Sequence, residues 1–168
     1  TIVAPYCMGF NSPALLNPIQ YGATIVIHSL TKFIGGQGTS LGGVVIDAGT
    51  FDWTNGKFPE FTEPSKGYHG LKYSEALGEI AFIVKLRLEG LRDFGAALSP
   101  YNAFQLIQGL ETLEVRIKQH SINALELAKW LENQEDVSWV NYPGLKSSTY
   151  YKLSEKYLPN GQSGVVTF

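Results

Sequence analysis

Along the chain, short unbroken hydrophobic runs alternate with apolar stripes at helical spacing, a pattern that predicts an α/β architecture. Ala23-Thr24-Ile25-Val26-Ile27 and Gly43-Val44-Val45-Ile46-Asp47 are short, β-branched and apolar at successive positions. That predicts two strands buried on both faces, as parallel strands are. A glycine-rich loop from Ser29 to about Leu41 separates them. Upstream, Pro5, Gly9, Asn11, Ser12, Pro13, Asn17 and Pro18 break a strand-like opening into loop, with one helical turn around residues 14–16.

Residues 48–73 show neither a period of 2 nor one of 3.6, yet carry Phe51, Trp53, Phe58, Phe61 and Tyr68. So many aromatic side chains predict a packed excursion rather than a disordered loop. From Ser74 the spacing turns helical: Ala81, Val84, Leu88 and Leu91 share a face, and Gly95 ends the run. Ser99-Pro100 marks a new helix start, continued by Ala103, Leu106, Ile107, Leu110 and Leu113, with Gly109 as a weak point inside it. The stripe runs on through Ile117, Ala124, Leu127, Ala128 and Leu131 after changing phase near Leu113, as a helix crossing a domain junction would. Residues 137–140 predict a strand, 141–144 a turn and 147–157 a short helix. Both ends read as cut, because each lies in an apolar run without a polar tail.

At 168 residues the chain is long enough to bury a real core. Thirteen Lys+Arg against fifteen Asp+Glu give a net charge of −2, so no basic field points to nucleic acid or an anionic membrane surface. No apolar run approaches the ~20 residues of a membrane helix. The single cysteine, Cys7, excludes an internal disulfide and reads as a packed small residue; it suits a reducing, cytoplasmic setting.

The chemistry concentrates in His28-Ser29-Leu30-Thr31-Lys32-Phe33-Ile34-Gly35-Gly36-Gln37-Gly38. Here a buried strand ends, two hydroxyls and a lysine follow, and glycines open the backbone beyond them. Ligands of open α/β sheets bind past the carboxyl ends of strands. A lysine desolvated there can become a nucleophile toward an aldehyde, while Ser29 and Thr31 can donate to an anion. On residue types alone, a lysine after a strand is more often a solvated surface residue. The phosphate-loop patterns fail, since Leu41 stands where G-x-G-x-x-G needs glycine and no G-x-x-x-x-G-K-[ST] occurs.

This stretch resembles the pyridoxal-phosphate attachment motif of the Cys/Met-metabolism enzymes, which have the fold-type-I transferase architecture. The resemblance continues through Arg92-Asp93-Phe94-Gly95, Leu98-Ser99-Pro100-Tyr101-Asn102-Ala103-Phe104, Gly109-Leu110-Glu111-Thr112-Leu113, Arg116, Asn123-Ala124, Trp130-Leu131 and Tyr142-Pro143-Gly144-Leu145. It implies a mainly parallel large-domain sheet, with residues 1–113 as the C-terminal part of that domain and 114–168 as the start of a smaller α+β domain. It implies pyridoxal 5'-phosphate as a Schiff base on Lys32, the catalytic residue, with Ser29 and Thr31 binding the phosphate.

The excursion between Phe51 and Gly70 is similar to an insertion of the O-acetylhomoserine sulfhydrylase branch. That implies replacement of the acetate of O-acetyl-L-homoserine by sulfide, giving homocysteine for methionine biosynthesis, in a homo-oligomer built as a dimer of dimers. Cystathionine γ-synthases and γ-lyases and methionine γ-lyases of the same family are the alternatives. A non-catalytic interaction module of this fold is the alternative from another class.

Some positions depart from the family pattern. Thr24 stands where an acidic residue is usual, and the aspartate expected to pair with the pyridine nitrogen would precede Thr1. Without the residues expected outside its ends, this 168-residue piece alone should be inactive. Elsewhere, His28, His69 and His120 lack metal-ligand spacing, so no metal site is expected. His69 and Tyr68 read as loop hydrogen-bonding residues, and Arg116 with Glu111 as structural ion partners on the junction helix.

Overall fold

A computed structural model describes residues 6–7 and 12–168. The opening run 1–4 and the side chain of Cys7 lie outside the described residues. The elements run β1 (Tyr6–Cys7), β2 (Ile25–Ser29), β3 (Gly43–Asp47), α1 (Pro59–Thr62), α2 (Tyr73–Leu77), α3 (Ala81–Lys85), α4 (Pro100–Glu111), α5 (Leu113–Leu131) and α6 (Tyr151–Tyr157). The chain is α/β, and among the described residues three strands form one sheet in the order β1-β2-β3. Among the described residues no helix is long and apolar enough to cross a membrane.

The expected parallel pairing does not hold for β2 and β3. The Leu30 amide donates to the Gly42 carbonyl at 2.9 Å and the Ala48 amide to that of Thr24 at 2.8 Å, so the partner runs backward as β2 runs forward. The pair is an antiparallel hairpin closed by the glycine-rich loop. Ile27 and Ile46 are both exposed although both runs are apolar, and this register, with Ile27 opposite Val45 and Ile46 opposite Val26, places them on opposite faces of the hairpin.

The chain forms two compact units. One comprises Pro18–Ile27 and Val45–Ser99, and the other includes His28–Val44 and Pro100–Phe168. In the first, the aperiodic excursion is indeed packed. Ile25, Trp53, Phe61, Tyr73 and Ala81 form its core, with Phe51, Phe58 and Phe82 against them. Trp53 stacks on Phe61 at 4.2 Å between ring centroids and on Phe82 at 5.3 Å. Gly78, at φ +53, interrupts the helical stretch, and Gly95, at φ +74, ends it. Burial and the hydrogen bond to Glu89 push the Tyr73 hydroxyl up to about 12.

In the second unit, α4 begins at Pro100, where proline's fixed φ and missing N–H cost nothing. The predicted change of phase is a break: α4 stops at Glu111 and α5 restarts at Leu113. Leu113, Ile117, Ser121, Ala124, Ala128 and Leu131 then form the buried stripe of α5. Ala124 and Ala128 pack with Tyr142 and Leu145. The buried Tyr142 hydroxyl donates to the Ser163 carbonyl at 2.9 Å. Among the described residues, 137–140 form no strand; Asn141 makes an isolated antiparallel bridge to Thr167.

Candidate functional site

Chain direction at the end of β2 sets the geometry of Lys32. Ser29 is still extended (φ −75°, ψ 115°), and Leu30–Ile34 then wind into a wide π-type turn. Lys32 departs from helical geometry inside it (φ −94°, ψ −121°), and its side chain is exposed. The Gly35 amide donates to the Leu30 carbonyl and the Gly36 amide to that of Lys32, both at 2.8 Å, which closes the turn.

Ser29, Thr31 and Lys32 therefore lie together on one turn, with different environments. The Ser29 hydroxyl makes no capping bond to the turn. Thr31 ties the turn to the loop end: its Oγ1 accepts from the Gly42 amide at 3.1 Å and donates to the Gly42 carbonyl at 3.3 Å. A hydroxyl has one proton, so donation to an anion would replace the longer of these two bonds. A primary amine with two nearby hydroxyls is a donor set that suits an aldehyde bearing a phosphate.

Behind the turn lies a support that sequence reasoning missed. Arg116, on α5, forms no ion pair with Glu111 among the described residues. Its Nη1 donates to the Phe33 carbonyl at 2.8 Å, and its Nη2 to those of Ile34 at 3.2 Å and Gly109 at 2.6 Å. Its Nε donates to Thr112 Oγ1 at 3.1 Å. Five donors in a rigid fork can serve several carbonyls at once, which is why this arginine binds backbone and not a carboxylate.

Glycine makes the approach possible. Gly36 sits at φ +73, and a Cβ there would lie 2.4 Å from Arg116 Nη1. A Cβ on Gly109 would lie 2.2 Å from the Gly35 carbonyl oxygen. Leu106 of α4 is buried against the same turn, and Ser40 Oγ donates to Gln105 Oε1 at 2.5 Å. The spacing Gly109 to Arg116 was visible in the sequence, but its partner carbonyls belong to backbone, which no residue type announces.

The three histidines stay apart in role. His28 is buried in β2, and loss of solvent lowers its affinity for a proton below that of a free imidazole. His120 packs its ring against Phe33 at 5.7 Å. His69 is exposed in a left-handed turn (φ +55), and the neighbouring Tyr68 hydroxyl donates to Asp93 Oδ2 at 2.7 Å. Among the described residues no group of three His, Cys, Asp or Glu could hold a metal ion.

With the lysine turn and its support defined, comparison with known proteins decides the family. The model of the Cys/Met metabolism PLP-dependent enzymes matches residues 8–168. The chain belongs to that family. An O-acetyl-L-homoserine sulfhydrylase of Leptospira meyeri is 52% identical over 163 residues, covering 92% of this chain and 37% of the relative. A homocysteine/cysteine synthase of Saccharomyces cerevisiae is 52% identical over 153 residues, covering 90% and 34%. Among solved structures, a putative O-acetylhomoserine (thiol)-lyase of Campylobacter jejuni superposes with a TM-score of 0.88 at 40% identity, covering 95% of this chain and 40% of that one. That crystal structure carries N'-pyridoxyl-lysine-5'-monophosphate. The chain thus spans little more than a third of the length of the curated family members it matches.

Proposed function

We propose that this chain is the lysine-bearing part of an enzyme that makes homocysteine and acetate from O-acetyl-L-homoserine and sulfide, with Lys32 as the residue that holds pyridoxal 5'-phosphate. The observation that carries the reading is the exposed Lys32 amine on a turn with two neighbouring hydroxyls. The names of the Leptospira and Saccharomyces relatives support the substrate. When bound, the cofactor supplies an electron sink for negative charge at the substrate's Cα.

The protein's own part is positioning and proton transfer. Ser29 and Thr31 bind the phosphate. The Lys32 amine takes the Cα proton and returns protons along the substrate as acetate leaves Cγ and sulfide adds there. Residues 1–113 belong to a large cofactor domain and 114–168 open a smaller one, a division supported by the helix break at Thr112. The complete protein is a cytoplasmic homo-oligomer, a dimer of dimers, and the 168-residue piece alone does not turn over substrate.

The test is borohydride reduction of the full-length protein followed by peptide mass mapping, alongside a homocysteine assay. We expect the pyridoxyl group on Lys32, and loss of roughly 10²–10⁴-fold or more in rate in Lys32→Ala. An unmodified Lys32 in the wild-type protein overturns the reading and favours a non-catalytic module. Preference for cystathionine or methionine as substrate would move it to a γ-lyase.

A further inference from the structure

We propose that Arg116 is a positioning residue for Lys32: one guanidinium ties the end of the lysine turn to the end of α4 and so fixes the direction in which the amine is presented. This rests on the reading that Lys32 holds the cofactor.

Backbone carbonyls near the end of an α-helix are open to side-chain donors, and the Gly109 carbonyl already accepts from Thr112 Oγ1 at 3.4 Å. Phe33 and Ile34 close the Leu30–Ile34 turn, and Gly109 lies in the last turn of α4. Arg116 Nη1 and Nη2 reach all three, at 2.8, 3.2 and 2.6 Å. The cation thereby joins the end of the lysine turn to the last turn of α4, where a positive charge is also favoured by the helix dipole.

The contact is built from both sides. Gly36 and Gly109 leave the space for it, since side chains there would meet the guanidinium or the Gly35 carbonyl. Thr112 Oγ1, in the break between α4 and α5, receives Nε and sets the plane of the fork. Lys32 precedes two of the clamped carbonyls by one and two residues, so movement of that backbone swings its amine directly. A lysine at position 116 could reach one carbonyl but not span three.

The experiment uses the full-length protein, stripped of cofactor and then given pyridoxal 5'-phosphate, with pyridoxyl fixed on Lys32 by borohydride and measured as a function of time and pH. Circular dichroism and the melting temperature report the fold. In Arg116→Ala we expect an intact fold, attachment slowed about tenfold or more, and partial recovery when free guanidinium ion is added at low millimolar concentration. Arg116→Lys should be slowed similarly and not respond to guanidinium.

Two outcomes overturn the proposal: attachment rate and pH profile unchanged in both variants, or slowing that guanidinium does not relieve and that Leu106→Ala reproduces, which marks general loosening. Should Arg116→Ala fail to fold, Arg116→Lys decides by its attachment rate. Absence of any adduct on Lys32 in the wild-type protein sinks the underlying reading instead, so the two failures are separable.

Discussion

Gly109 shows how one atom decides a site. Alanine there would gain about 0.5–1 kcal/mol of helix propensity. Its Cβ, however, would sit 2.2 Å from the Gly35 oxygen and 2.6 Å from that of Ile34, both backbone atoms that cannot swing aside. Overpacking costs about 1–3 kcal/mol and more against rigid neighbours. Gly109→Ala in the full-length protein should therefore lose about 2 kcal/mol net in urea unfolding, whereas Gly67→Ala, with open space around it, should stay within about 0.5 kcal/mol. Equal midpoints for the two would contradict this packing. Read in sequence, Gly109 is only a weak point of a helix, because propensity describes a helix alone and says nothing of the strand-end turn against it. The grouping of Ser29, Thr31 and Lys32 on one turn was legible for the opposite reason: these neighbours in sequence are neighbours in space.

At the scale of elements, periodicity succeeded where one element buries one stripe. The phase change near Leu113 became the break at Thr112, and the buried stripe of α5 follows the predicted spacing. It misled for the strands, since a short apolar run looks the same in a parallel sheet and in a hairpin. The excursion had no period to find, because ring contacts and not a regular backbone order it. Phe51 and Phe58 meet the Trp53 ring edge-on at 4.6 and 5.2 Å, while Phe61 and Phe82 stack on it. Trp53→Ala should cost about 3–5 kcal/mol, and Trp53→Phe clearly less. A melting temperature unmoved by the alanine variant would show that the cluster is not the core of its unit.

For the whole molecule, family membership was legible because its motifs are local strings, while the support beneath the lysine was not. Arg116 stands 83 residues beyond Phe33 and 82 beyond Ile34 in the chain. Contacts that distant require closing a long loop before they give anything back. The β2–β3 hairpin can form as soon as Asp47 is available, but the turn it carries has no clamp until α4 and α5 exist. In pulse-labelled refolding, the amides of Gly35 and Gly36 should gain protection no earlier than those of α5; earlier protection would show that the turn holds itself. On a ribosome, where the chain emerges from its amino end, the lysine is synthesised early and shaped late. If Lys32 holds the cofactor as proposed, a half-made chain carries that amine without the scaffold to aim it, and productive capture of an aldehyde arrives only with the helix that follows.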